Sequence, residues 1–467
     1  MKIEQIYTSC LAQGAYYIES DGEVAIIDPL REVQSYLDKA EQNKSKIKYI
    51  FETHFHADFV SGHVTLSELT NAPIVFGPNA NPTFDCIIAK NQQVFKLGKI
   101  TIKVLHTPGH TMESTCYLLQ DENGKDHALF SGDTLFLGDV GRPDLAQKSN
   151  EVTQEDLAGI LFDSLREKIM ILADEVIVYP AHGAGSACGK NLSKETIGTI
   201  GEQKQSNYAL RSDMTKKEFI KEVTDGLLPP PAYFPMNVKL NKEGYQNVAN
   251  IVQNAKAISV DELETIAEET NALLLDVRHQ DDFSSGHIPN SIFIGLDGGF
   301  APWVGALLTD VYQPIILIAT IGREKEAITR LSRVGYDATL GYVNGGFEAW
   351  KNAKKEIATL KSVTAEDFEN IYTSDLPIFD VRKTGEFTSE HLKTANSTPL
   401  DFLNNHLAKF PTQSTFYLHC AGGYRSVMAA SILKARGFHN SIDIKGGYGE
   451  LKNTTIPKTN FVCPSTI

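Results

Sequence analysis

Four short clusters of histidine and aspartate, each placed directly after an apolar run, constrain this chain more than any other feature. The first is Thr53-His54-Phe55-His56-Ala57-Asp58-Phe59, behind Tyr49-Ile50-Phe51. The second, Thr107-Pro108-Gly109-His110-Thr111, stands behind Ile100 to Leu105. Ser131-Gly132-Asp133-Thr134 follows Ala128-Leu129-Phe130, and Pro180-Ala181-His182-Gly183 follows Val176-Ile177-Val178. Short apolar runs bounded by turn residues read as buried strands. Strands that end in potential ligands predict an α/β domain with its site along a sheet edge. His54 and His56 alternate with Phe55, so an extended loop points both imidazoles the same way. Imidazole and carboxylate are donors for a borderline or hard divalent metal. A single such histidine is ordinarily a satisfied core or turn residue; four clusters in this order are not. His63, His106 and His127 have no comparable setting and read as structural.

The second half of the chain is an internal repeat. Leu274-Leu275-Asp276-Val277-Arg278 returns as Ile378-Phe379-Asp380-Val381-Arg382, with Phe283 and His287 echoed at the same offset by Phe387 and His391. Asn344-Gly345-Gly346-Phe347 is echoed by Lys445-Gly446-Gly447-Tyr448. A spacing of about a hundred residues means two related domains rather than a solenoid, whose periods run about 20–50 residues. Each copy reads strand, loop, helix, strand, helix, the pattern of a small doubly wound α/β domain. The proline cluster Leu227 to Pro235 reads as a boundary or stiff connector. The predicted division is residues 1–240, 255–355 and 359–467, in keeping with a chain of 467 residues.

The last copy carries a second chemical site, Leu418-His419-Cys420-Ala421-Gly422-Gly423-Tyr424-Arg425-Ser426. It lies between an apolar strand and a predicted helix, Val427 to Arg436, that stops at Gly437. Cys420 therefore opens a loop at a helix N-terminus. Gly422 and Gly423 let the backbone curl and aim its N–H groups inward. The helix dipole, the N–H groups and Arg425 are expected to favour a thiolate or a persulfide anion. Ala421, Gly422, Gly423 and Tyr424 are the expected substrate-binding residues of this loop, with Cys420 and Arg425 catalytic. The middle copy has Ala319-Thr320-Ile321-Gly322-Arg323 after its matching strand, and no cysteine lies between Cys188 and Cys420. It cannot carry a persulfide on its own side chain. It reads either as a structural or substrate-channel domain or as a plain spacer.

Six scattered cysteines without a C-x-x-C pair argue against a disulfide framework. A net charge of -14 disfavours a nucleic-acid partner. No apolar run reaches the ~20 residues needed to span a bilayer, and residues 1–10 do not read as a signal peptide. No membrane association and a cytoplasmic location are the expectation, and a homo-oligomer is expected for a multidomain enzyme of this kind.

The four metal-type clusters resemble the metallo-β-lactamase superfamily over residues 1–235, which implies an αββα sandwich with the metal in a cleft at the sheet edges. Two-metal members carry H-x-H-x-D-H at the first cluster, and here the final position is Phe59. The resemblance then implies a mononuclear site of His54, His110 and Asp133, with His56, Asp58 and His182 just behind the ligands. Two histidines and a carboxylate with open positions are the donor set of non-haem Fe(II) oxygenases. The persulfide dioxygenase branch of the superfamily uses such an iron, one per chain. Asp139-Val140-Gly141-Arg142-Pro143-Asp144 resembles a segment of that branch, which implies that Arg142 contacts the anionic carrier thiol; a loop salt bridge is the other reading. Ala184 to Gly189 resembles the same loop in the fusion enzymes and places Cys188 near the cleft, either to relay sulfur or only to pack.

Residues 359–456 resemble a catalytic rhodanese domain, with C-x4-R where a Cys-based phosphatase has C-x5-R. Glu390 stands where rhodanese domains often have Gly. The whole order resembles the CstB-type persulfide dioxygenase–rhodanese fusions. That implies Fe(II)-dependent oxidation of a low-molecular-weight thiol persulfide by O2 to sulfite and free thiol, in persulfide detoxification. Cys420 would move sulfur to or from thiosulfate. The competing readings are a glyoxalase-II-like thioesterase with an attached sulfurtransferase, and a non-catalytic sulfur carrier built on Cys420.

Overall fold

A computed structural model describes residues 1–146 and 152–463. The chain forms two compact units, Met1–Ala249 with Ser332–Gly335, and Asn250–Leu331 with Tyr336–Ile467.

The first unit is built on two six-stranded sheets. In the first, the antiparallel ribbon Lys2–Thr8, Gln13–Ser20 and Glu23–Ile27 continues into parallel Lys46–Phe51, Ile74–Phe76 and Ile87–Ile88. The second runs Gly198–Thr199, Ile177–Pro180, Asp126–Gly132, Thr115–Gln120, Ile100–His106 and Val94–Leu97. The strand period of two sorts the side chains. Ile18, Ala25, Ile27 and Phe51 face Ile102, Val104, Tyr117, Ala128 and Phe130 in the core between the sheets. Tyr17, Val24, Ile26 and Ile50 point the other way, under the helices Gln34–Gln42 and His63–Thr70. Leu118, Leu129 and Val178 form the outer face of the second sheet, covered by Gln154–Ser164, Ile200–Ser206 and Lys216–Thr224. This is the αββα metallo-β-lactamase fold. Burying both faces of each sheet is why its strands read as near-continuous apolar runs.

The proline cluster is not the end of this unit. The helix Phe234–Glu243 starts inside it, with Pro235 in the first turn where a missing N–H costs nothing. Asn241 on that helix is buried, donates to the carbonyls of His56 and Phe59 at 2.8 Å each, and accepts from Ser61 N at 2.8 Å. The loop that carries the first metal-type cluster is thus held from behind by a residue 180 positions later in the chain.

The second unit holds two parallel five-stranded sheets of the same order. One is Lys256–Ile258, Thr339–Val343, Ile315–Ile318, Leu273–Asp276 and Ile292–Phe293; the other is Lys361–Val363, Ser441–Ile444, Phe416–His419, Ile378–Asp380 and Ala395–Ser397. The repeated residues form one device in each copy. Arg278 grips Asp276 through Nε (3.0 Å) and Nη2 (2.6 Å), reaches Gly286 O at 2.8 Å and lies 4.2 Å from the centre of the Phe347 ring. Arg382 does the same with Asp380, Glu390 O and Tyr448. Glu390 replaces Gly286 without altering the loop, because both residues are extended (φ -167° and -177°), a conformation open to any side chain. Among the described residues, no helix is long and apolar enough to cross a membrane.

Replacing Asn241 with Ala strands one buried N–H and two carbonyls, and each orphaned group costs about 1–3 kcal/mol. Urea unfolding of Asn241→Ala is expected to show the first unit destabilised by at least ~2 kcal/mol with metal affinity lowered. Wild-type stability and affinity would contradict this role.

Candidate metal centre and sulfur-transfer loop

All four clusters converge where their strands end. His54 Nε2 lies 3.8 Å and His110 Nε2 3.4 Å from Asp133 Oδ2, and all three residues are buried. The other ring nitrogens are engaged from behind: His54 Nδ1 by Thr53 Oγ1 at 3.0 Å, His110 Nδ1 by Arg142 O at 2.9 Å. Fixing the remote nitrogen orients an imidazole for a metal. Asp133 Oδ2 is buried with no hydrogen-bond partner. Burial drives the His54 ring toward its neutral, ligating form. Burial works to raise Asp133, but His182, His54 and His110 outweigh it and keep the carboxyl ionised. The three donors therefore fit one divalent ion.

His56 belongs to a different group. Its Nε2 lies 3.2 Å from Asp28 Oδ1 and 3.6 Å from Glu52 Oε2, while Phe59 rests against its ring with centroids 4.4 Å apart. His63, which reads as structural from sequence, lies at the same buried carboxylate, 3.4 Å from Glu52 Oε1. His182 sits between two acids, Nδ1 2.8 Å from Asp133 Oδ1 and Nε2 2.8 Å from Asp58 Oδ2. Asp58, His182 and Cys188 form a separate buried group of potential donors.

In the last repeat, Cys420 is buried at the end of Phe416–His419, and the helix Tyr424–Ala435 follows its loop. Gly423, in the left-handed region (φ 107°), donates its N–H to Cys420 Sγ at 3.1 Å, and Ser426 Oγ lies 3.5 Å from the same sulfur. Gly447 must lack a side chain, since a Cβ there would stand 2.4 Å from Cys420 O. Ala421 and Gly422 are exposed at the loop's mouth. Arg425 lies close enough to Cys420 for their charges to interact, and a carboxylate anchors it. It pairs bidentately with Glu386 at 2.6 and 2.9 Å, and that carboxyl falls below its usual range although burial opposes the shift. Glu386 is thus a site residue that sequence reading missed; its signal was a carboxylate one helical turn past the repeated Asp380-Val381-Arg382.

Comparison with known proteins agrees with this layout. The Rhodanese-like domain model matches residues 259–353 and 364–454, and the Metallo-beta-lactamase superfamily model matches residues 10–84. A solved metallo-beta-lactamase from Staphylococcus aureus is 33% identical, with a TM-score of 0.64 over 73% of this chain and 98% of that one. The chain belongs to the metallo-β-lactamase superfamily. It adds two rhodanese-like domains to that fold. Relatives of two activities are found within the superfamily. The mouse mitochondrial persulfide dioxygenase ETHE1 is 27% identical over 222 residues, 47% of this chain and 78% of its own. The cytoplasmic hydroxyacylglutathione hydrolase of Arabidopsis thaliana is 33% identical over 147 residues, 30% of this chain and 56% of its own, so this chain spans little more than half of that relative.

Against other superfamily features, two expectations change. Arg142 is not free to meet a substrate anion. Its guanidinium clamps Asp144 at 2.6 and 2.7 Å and donates to the carbonyls of Ala187 (3.1 Å) and Leu228 (2.5 Å), so the loop salt bridge is the arrangement present. The side chain of Tyr424 turns from the cysteine loop to the middle rhodanese-like copy. Its hydroxyl donates to Gly295 O at 2.7 Å, and its ring meets Phe293 edge-on at 5.8 Å. It fills a notch that exists only because Gly298 has no Cβ, which would stand 2.4 Å from Tyr424 Cζ.

The middle copy keeps the loop's shape but closes it. Ala319 takes the cysteine's place, Gly322 keeps the left-handed turn (φ 89°), and its N–H, which in the last copy meets Cys420, donates to Glu324 Oε2 at 2.9 Å. A resident carboxylate thus takes the loop N–H that in the last copy meets the cysteine sulfur. Arg323 is held by Asp297 at 2.8 Å and by Glu326 at 2.8 Å.

Gly298→Ala should push Tyr424 out of its notch and disturb the cysteine loop. A roughly tenfold loss in sulfur-transfer kcat/KM, about 1.4 kcal/mol, is expected with metal content unchanged. A further Tyr424→Ser exchange should relieve the clash and restore part of the rate. An unaltered rate in Gly298→Ala would show that the middle copy does not position the loop.

Proposed function

We propose that this chain is an Fe(II)-dependent persulfide dioxygenase joined to a sulfurtransferase. The observation that carries the reading is the His54–His110–Asp133 triad, with Phe59 packed against the His56 ring where two-metal members have another histidine. Two histidines and one carboxylate with open positions suit non-haem iron and leave room for two reactants. Iron bound there supplies the electron transfer that O2 chemistry needs. The overall step consumes R-S-S–, O2 and water and yields R-SH, sulfite and a proton. The terminal sulfur is oxidised, O2 is reduced, and the S–S bond breaks with its electrons going to the thiol.

The protein residues have definable tasks. Thr53 and the Arg142 carbonyl hold the two ligand imidazoles in orientation. His182 holds the remote oxygen of Asp133, leaving Oδ2 for the ion. In the sulfurtransferase, Gly423 N–H and Ser426 Oγ stabilise negative charge on the sulfur of Cys420. Cys420 takes a sulfane sulfur as Cys-S-S– and passes it to sulfite, giving thiosulfate and the free thiolate; the reverse uses thiosulfate. Arg425 acts through its Glu386 pair, which ties the loop to the helix Thr384–Ser389. One chain holding both activities raises the effective concentration of sulfite for Cys420.

The hydrolase relatives favour a second reading, thioester cleavage by a two-metal centre, and the experiment separates the two. Fe(II)-loaded protein is expected to consume O2 on addition of a small persulfide, and zinc-loaded protein is not. His110→Ala should lose iron and oxygen uptake but keep sulfur transfer. Cys420→Ser should lose thiosulfate chemistry and still form sulfite. No uptake by protein carrying one iron per chain, together with thioester cleavage, would replace the dioxygenase by the hydrolase.

A further inference from the structure

One buried acid of the last rhodanese-like copy stands behind the cysteine loop rather than in it. Asp443 lies on the strand Ser441–Ile444, in register with Leu418, two residues before Cys420. It is 5% exposed, and among the described residues its Oδ1 has no hydrogen-bond partner. An acid in that setting is costly unless it is neutral or paired. The carboxyl is hydrogen-bonded to the side chain of Ser426. Ser426, itself fully buried, places its Oγ 3.5 Å from Cys420 Sγ and 3.2 Å from Gly423 O. Asp443, Ser426 and Cys420 thus form a buried line from the sheet to the reactive sulfur.

The middle copy lacks the whole line at once. With Ala319 at the place of Cys420, the same offset puts Lys325 at Ser426 and Tyr342 at Asp443. The match is structural as well, since Tyr342 pairs with Leu317 as Asp443 pairs with Leu418. The Asp–Arg pair and the stacked aromatic are kept in both copies. A hydroxyl and a carboxyl that served only this frame would stay with it; instead they go with the cysteine.

We propose that Asp443 is a positioning residue for sulfur transfer: through Ser426 it decides whether a hydroxyl hydrogen reaches the sulfur of Cys420. Ser426 carries one hydrogen and has three acceptors around it, the Asp443 carboxyl, Gly423 O and Cys420 Sγ. When Asp443 is ionised, its carboxylate is the strongest acceptor and holds that hydrogen. When Asp443 is neutral, its own O–H donates to Ser426 Oγ, and the serine hydrogen is free for the anionic sulfur. The inference rests on the sulfurtransferase reading of Cys420, where the difference falls on one step. Sulfite attacks the outer sulfur of Cys-S-S–. The new S–S bond makes thiosulfate, the old one breaks, and its electron pair stays on Sγ; no proton or outside oxidant enters. A hydrogen bond to Sγ stabilises the charge that appears there.

The surroundings set when each form is present. Burial pushes the Asp443 carboxyl up to about 6, against the pull of Ser426 and Lys445 and with help from Asp281 on the helix Gln280–Ser285. The flanking strands set Ser362 and Leu418 beside it, neither of them charged. The neutral form is therefore present below about pH 6 and lost above it.

Full-length protein carrying the Cys420 persulfide is mixed with sulfite, and thiosulfate is followed through one turnover on both sides of pH 6. Asp443→Asn keeps a donor toward Ser426 at every pH, and the ratio of its rate to that of wild type cancels the titration of sulfite itself. The ratio should stay near one below about pH 6 and rise roughly fivefold above it, the worth of one hydrogen bond to the leaving sulfur. In a Ser426→Ala background, which slows transfer, the ratio should be flat. A flat ratio with Ser426 in place, or a rise that survives Ser426→Ala, overturns the role of Asp443. Infrared spectroscopy of the resting protein needs no turnover: the protonated-carboxyl band that Asp443→Asn removes should shift on Ser426→Ala and on alkylation of Cys420. A band unmoved by both changes breaks the link from Asp443 to the sulfur. No thiosulfate from wild type at any pH would sink the sulfurtransferase reading instead, with the infrared band still deciding the link.

Discussion

Asp133 is the residue through which the metal-binding end of the first unit is organised. Its Oδ2 faces His54 and His110, and its Oδ1 meets His182, which in turn reaches Asp58. A buried carboxylate is costly unless every lone pair has a partner. Asp133 meets that condition only when three strand ends and a cation surround it. The αββα fold supplies the strand ends: Lys46–Phe51 brings His54, Ile100–His106 brings His110, Asp126–Gly132 brings Asp133 itself, and Ile177–Pro180 brings His182. Gly132 (φ 54°) lets the last of its strand turn against Thr53, where a Cβ would stand 2.7 Å from the Thr53 Cβ. Sheet register, loop conformation and donor geometry are thus one constraint seen at three scales.

The two rhodanese-like copies show how one frame is kept while its chemistry changes. The Asp–Arg pair, the stacked aromatic and the left-handed glycine recur in both. What differs is the occupant of the loop. In the last copy the cradle N–H meets the sulfur of Cys420; in the middle copy it meets the carboxylate of Glu324. The middle copy has acquired another contact instead, the glycine-lined notch that receives Tyr424. Exchange of one cysteine for Ala319 and one cationic position for Glu324 turns a reactive loop into a supporting wall.

Much of this was legible in the sequence, for a physical reason. Ligands at strand ends and a cysteine between a strand and a helix are local patterns, so His54, His110, Asp133 and Cys420 stand out by position alone. The repeat was legible because Asp276-Val277-Arg278 and Asp380-Val381-Arg382 perform the same local task. Contacts between distant segments were not legible. Nothing near Arg142 in sequence shows that Ala187 and Leu228 share its guanidinium, and nothing near Pro235 shows that Asn241 reaches the carbonyls of His56 and Phe59. The partner of Arg425 was hidden for the same reason: its loop predicts a cation near the sulfur, and only the fold brings Glu386 to it.

The proposed function requires the His54–His110–Asp133 centre to be an iron site with open positions that a persulfide occupies. Electron paramagnetic resonance of the Fe(II) protein exposed to nitric oxide, a stand-in for O2, tests it most directly. The expected result is a high-spin iron–nitrosyl signal that changes when a small thiol persulfide is added and does not change with a thioester. A signal unaffected by persulfide, or shifted equally by a thioester, would contradict it.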